Sequence, residues 1–190
     1  MSKIAIDVVL LPPEKIMDKA IAINQQFPDD PIKLNKHDYL PHISLCMGVL
    51  DKKNLPEVKK ILDNIGKNFS TLDLTIDKIN KKEVCFEIRK TPELQRLHEE
   101  IMTKLEHYLT HDATTDTVLS IMPVGVKTLD WINNYENNSS FTNFYPHITL
   151  GVSNLEEKEL NINFKTSKLV LCHLGNHCTC HKILHSIELT

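Results

Sequence analysis

Arginine is almost missing from this chain: only Arg89 and Arg96 carry guanidinium groups in 190 residues. With a formal net charge of −3, that excludes a large polyanion-binding face, which shows as a basic patch or stripe. Lysines lean toward 52–90, but acids are interleaved with them. A short nucleotide or RNA end fits this balance better than long duplex. Long apolar runs are missing too. Ile4 to Leu11 is the strongest, yet it contains Asp7 and stops at Pro12-Pro13. That is too short for a membrane span, which needs roughly 20 apolar residues, and wrong for a secretory signal. The expectation is a soluble, cytoplasmic protein. Five cysteines (Cys46, Cys85, Cys172, Cys178, Cys180) are an odd count. They do not read as a disulfide framework, and they suit a reducing compartment.

What is present is ordinary globular material, 41% hydrophobic and 25% charged. Pro28–Lys36 reads as a polar loop, and only the polar stretch Thr110–Thr117 is a candidate for disorder. Ile4–Leu11 predicts a buried strand. Pro13 is placed to open a helix with Ile16, Ala20, Ile23 and Phe27 on one face. His42–Leu50 is strand-like. Asn54 offers an N-cap to a second helix that Gly66 closes. Leu72-Leu74-Ile76 and Val84-Phe86-Ile88 alternate as half-buried strands. Thr91-Pro92-Glu93 opens a third helix carrying Leu94, Leu97, Ile101, Leu105 and Leu109. Val118–Val126 reads as extended, with a short helix near Trp131. Tyr145–Val152, Lys168–Leu174 and Lys182–Leu189 read as strands, the last two around Gly175-Asn176. The order is α+β, with antiparallel sheets open on one face. No linker divides the chain, so 1–190 is expected to be a single domain.

One phrase occurs twice. Pro41-His42-Ile43-Ser44-Leu45 and Pro146-His147-Ile148-Thr149-Leu150 differ only by Ser for Thr, and the histidines lie 105 residues apart. Side chains alternate along a strand, so each histidine shares a face with its hydroxyl while the apolar neighbours point into a core. With ten histidines, chance supplies about one His-x-Ser/Thr triplet, so a lone copy is weak. The third, His177-Cys178-Thr179, lacks the proline and the alternation and reads as that accident. Two imidazoles flanking a phosphorus can act as base and acid in line. Two hydroxyls can hold the charged nonbridging oxygens.

The paired motifs resemble the 2H phosphoesterase superfamily, with its LigT-like RNA 2′,3′-cyclic phosphodiesterases and 2′–5′ RNA ligases. The resemblance implies two pseudo-symmetric, intertwined lobes with antiparallel sheets flanking a central groove and helices outside. It implies that His42, Ser44, His147 and Thr149 are catalytic. It also implies a substrate that is a nucleotide or RNA end carrying a 2′,3′-cyclic phosphate, with no cofactor or metal. Products with 2′-phosphates would make His42 the acid and His147 the base, although pseudo-symmetry leaves the reverse assignment open. Tyr39, Phe144 and Tyr145 border the motifs as candidate base-stacking surfaces. His181, with His173, is expected at the groove's edge. The Cys172–His185 cluster lacks the usual zinc spacings. His98, His107 and His111 are expected at ordinary solvated positions. A monomer without an obligate protein partner or membrane association is expected. The rival readings are a 2′,5′-phosphodiesterase or ligase, a noncatalytic RNA-end binding module, and a zinc protein.

Overall fold

A computed structural model describes residues 2–190. The apolar run at the N-terminus becomes β1 (Lys3–Leu11), buried along almost its whole length. It is the middle strand of a five-stranded sheet, which explains a continuous rather than alternating pattern. After α1 (Glu14–Asn24) the chain returns as β2 (Ile43–Asp51), antiparallel to β1. Leu45 is skipped in that pairing, so a bulge sits inside the first motif. A 3-10 turn, Lys52–Asn54, leads into α2 (Leu55–Asn68). Asn54 holds the N-cap position of α2 but makes no side-chain capping bond; Asp51 caps the 3-10 turn instead, accepting from the Lys53 N–H. Gly66 lies inside α2 and does not close it: a Cβ there would come within 2.3 Å of Ile187.

The hairpin β3 (Leu72–Asn80) and β4 (Cys85–Ile88) begins a second sheet. Thr91 caps α3 (Pro92–Leu105) through the Leu94 N–H. Leu109, expected on that helix, instead joins the two-residue strand β5 (Leu109–Thr110). The segment expected to extend over Val118–Val126 forms no strand and leads into α4 (Val126–Asn133) and α5 (Tyr135–Ser139). The second motif is β6 (His147–Thr149), only three residues long. β7 (Lys158–Thr166) has no counterpart among the expected strands. Its Leu160, Ile162 and Phe164 do alternate, but exposed polar and charged residues surround them. β8 (Lys168–Leu174) and β9 (Cys180–Glu188) close the chain.

The fold is α+β with two antiparallel sheets, ordered β5-β2-β1-β8-β9 and β6-β4-β3-β7. Both chain ends belong to the first sheet, and one motif lies in each. A single large apolar cluster draws on both: Ile6, Leu45 and Leu171 from one, Ile76, Phe86 and Ile148 from the other. A smaller cluster under α1 joins Val9, Met17, Leu40 and Val170 to Cys172 and Cys180. These two cysteines form a single disulfide, where the odd count and spacing point to a chain without a disulfide framework. The hairpin brings their Cα atoms to 5.5 Å, inside the range a disulfide spans. That closeness depends on strand register, which spacing alone does not give. Among the described residues no helix is long and apolar enough to cross a membrane.

Candidate active site

Each motif is built the same way. Its apolar residues Ile43 and Leu45, or Ile148 and Leu150, are buried, and its histidine and hydroxyl are half-buried. In the first motif Nδ1 of His42 donates to the Leu40 carbonyl at 2.7 Å. In the second, Nδ1 of His147 donates to the Tyr145 carbonyl at 2.8 Å. Both rings therefore spend the same nitrogen on the backbone two residues upstream. That fixes the tautomer and leaves Nε2 of each as the nitrogen free for chemistry.

The two strands approach to within 8 Å between Cα atoms, although they belong to different sheets. His42, Ser44, His147 and Thr149 line one cavity of about 670 Å³. Burial pushes His42 down to about 4, against its bond to Leu40, and a charge on His147 would push it the same way. Burial also lowers His147, opposed by its bond to Tyr145. Both rings are thus neutral at neutral pH.

His98 ties the two halves together. It is fully buried on α3, not solvated as expected, and its ring stacks on Phe144 at 4.0 Å. Its Nδ1 donates to the bulged Leu45 carbonyl at 2.7 Å, and its Nε2 accepts from the Phe141 N–H at 2.8 Å. One neutral imidazole so satisfies a backbone group beside each motif. Behind the second motif, Asn24 donates to the Leu150 carbonyl, and Asp30 accepts from the Val152 and Ser153 N–H groups. Gly151, at φ +143°, has Asp30 Oδ2 within 2.5 Å of where a Cβ would be.

Phe144 and Tyr145 line the cavity as expected positions near the motif. The Tyr145 ring stacks on His147 at 5.4 Å, and its hydroxyl donates to Glu87 at 2.8 Å. Tyr39 and His181 pair edge to face at 5.8 Å and lie outside the cavity lining. His173 faces the Thr117 carbonyl, and His185 faces Asp63. The triplet His177-Cys178-Thr179, expected to be a chance match, lines the cavity, with His177 and Cys178 at positive φ. Thr128 holds it, its hydroxyl accepting from the His177 N–H and donating to Asn176. The far wall comes from α4 and α5, with half-exposed Trp131 and the amides of Asn134 and Asn138. Neither arginine reaches the cavity: Arg89 pairs with Asp77, and Arg96 lies over the Phe69 ring.

A sequence profile described as the 2′-5′ RNA ligase superfamily matches residues 12–169, a span that contains both motifs. The chain belongs to that superfamily. Solved structures agree on the fold. TT0787 of Thermus thermophilus superposes at TM-score 0.67 with 11% identity, over 98% of each chain. E. coli LigT complexed with 3′-AMP superposes at 0.58 with 14% identity, over 100% of this chain and 99% of that one. A protein described as a phosphoesterase superposes at 0.61 with 13% identity, over the same shares. No curated protein matches the chain in sequence. The superfamily membership supports phosphodiesterase-type activity. At such low identity the solved structures speak for the fold alone.

Proposed function

We propose that the protein opens 2′,3′-cyclic phosphates at RNA or nucleotide ends by two-histidine acid–base catalysis. The observation that carries this is the matched pair of rings in one cavity, each with Nδ1 held by backbone and Nε2 free. Binding alone has no use for two such nitrogens, whereas in-line displacement at phosphorus needs a base on one side and an acid on the other. His147 takes a proton from the attacking water. His42 protonates the departing 3′ oxygen, which leaves a 2′-phosphate. Ser44 and Thr149 donate to the nonbridging oxygens as their charge grows. The chemistry is complete without a metal.

A second reading, cleavage of a 2′,5′ linkage, uses the same four side chains. The wall carrying Trp131 favours it, since an aromatic face there suits stacking of a second base. The test is hydrolysis of nucleoside 2′,3′-cyclic phosphates in EDTA by wild type, His42→Ala and His147→Ala. Turnover that falls about 10²-fold or more in each folded variant supports the mechanism. Wild type that is inert on cyclic phosphates but cleaves a 2′,5′-linked dinucleotide moves the assignment to the second reading. Inertness on both overturns it.

A further inference from the structure

One buried acid has no place in that chemistry. Asp7 sits in the middle of β1, excluded from solvent, and neither carboxyl oxygen completes a hydrogen bond. Leaving a buried polar group unpaired is destabilising, and a buried unpaired charge more so. Its neighbours along the strand, Ile6 and Val8, show what packing alone would place there. What distinguishes the position is the first motif above it. Oδ2 of Asp7 lies 3.9 Å from Nε2 of His42, the nitrogen not engaged by backbone. The Ser44 hydroxyl and the N–H groups of Leu45 and Cys46 also face the carboxyl.

The other titratable groups around Asp7 carry no charge to meet it. Burial pushes up Cys46 on β2, Tyr135 on α5 and Cys178 in the Asn176–Cys178 turn, so all three stay neutral. Cys172, its cross-strand neighbour on β8, is held in the disulfide. Among the described residues only His42 pairs with Asp7 at ion-pair distance. Burial pushes Asp7 up to about 8, against the weaker downward pull of the Ser44 hydroxyl and the Cys46 and Leu45 N–H groups that face it without closing to full hydrogen bonds. Between the values of the two groups the carboxyl keeps a proton while the ring has none. A ring at about 4 would by itself be protonated in only about one molecule in 10³ at pH 7.

We propose that Asp7 and His42 share one proton, with Asp7 as the store from which His42 draws the proton it gives to the departing oxygen. This rests on the two-histidine reading and adds the proton's source. The Oδ2–H bond breaks and an Nε2–H bond forms, giving carboxylate and imidazolium. The imidazolium passes the proton to the leaving oxygen. The proton that His147 removed from water returns through the groove to His42 and then to Asp7. Asp7 does not touch substrate; it is a positioning residue that acts through His42. The gap must close by about 1 Å, within the tightening that catalytic hydrogen bonds show when substrate binds.

Asp7→Asn keeps the shape and removes the proton. Expected is a folded variant whose kcat on a cyclic nucleotide falls at least 10-fold at pH 7 with KM little changed. Its alkaline limb should move down by two or more pH units, so activity returns on acidification. A uniform loss at every pH, or an unchanged profile, overturns the proposal. Wild type with ¹³C-carboxyl-labelled aspartate gives a readout that needs neither the variant nor turnover. One aspartate should titrate above pH 6, and the His42 ring signals should follow it. All aspartates titrating below pH 5 would overturn the shared proton, even in an active enzyme. The coupled titration in a protein inert on cyclic phosphates would instead leave the pair standing and remove the substrate assignment.

Discussion

Replacing His98 tests the link between the two motifs. In His98→Leu the Leu45 carbonyl and the Phe141 N–H, both at the ends of hydrogen bonds under 3 Å, lose their partner. Orphaning two such groups costs about 1–3 kcal/mol each, and losing the stack on Phe144 adds about 0.5–1.5 kcal/mol. Leucine recovers part of the apolar burial, so a net loss of about 3–5 kcal/mol is expected. In a chain of this size that lowers Tm by roughly 10–15 °C. The variant should also change the pH dependence of stability. His98 must be neutral, because Nε2 accepts a proton-bearing N–H. Burial holds its pKa below the ordinary value, against its bond to Leu45. The unfolded chain therefore binds the extra proton first, so this contribution is present above about pH 6.5 and lost as pH falls below it. The limiting slope is about 1.4 kcal/mol per pH unit for one proton. Urea denaturation from pH 7.5 to 5 should give a shallower acid decline for His98→Leu than for wild type. A Tm within about 3 °C of wild type, together with an unchanged acid slope, would refute the bridge.

Gly151→Ala should lower stability by about 2 kcal/mol or more, because a positive φ and the nearby Asp30 carboxylate both oppose a Cβ. Calorimetry checks this, and a change under about 0.5 kcal/mol would contradict it. Alkylation of the unfolded protein without reductant should label Cys46, Cys85 and Cys178 and spare Cys172 and Cys180. Reduction should cost about 2.5 kcal/mol by the loop-entropy estimate for an eight-residue separation. Labelling of all five cysteines without reductant would show that the bridge does not form.

The catalytic candidates were readable because they are local. Proline, histidine, an apolar residue and a hydroxyl at fixed offsets specify a strand with two functional groups on one face, and the copy 105 residues later specifies a pair. A continuous apolar run marked β1, period-2 alternation marked β3, and helical spacing marked α2 and α3. Where pattern was weak, the sequence misled. β7 keeps its alternation among polar and charged residues, and 118–126 has the composition of a strand but forms none. Other features depend on partners distant in the chain. Asp7 looked like a blemish in an apolar run until β2 brought His42 above it. His98 looked like a solvated helix residue until it met a bulge from β2 and a turn before β6. The Cys172–Cys180 bridge and the His177–Thr179 edge of the cavity follow from the register of β8 with β9 and from α4 docking on their turn. The sequence by itself determined the candidate reacting groups and the face each occupies, because neighbouring residues set strand periodicity. Tertiary structure alone decided which buried groups hold and connect them, because those contacts join residues that only the packed chain brings together.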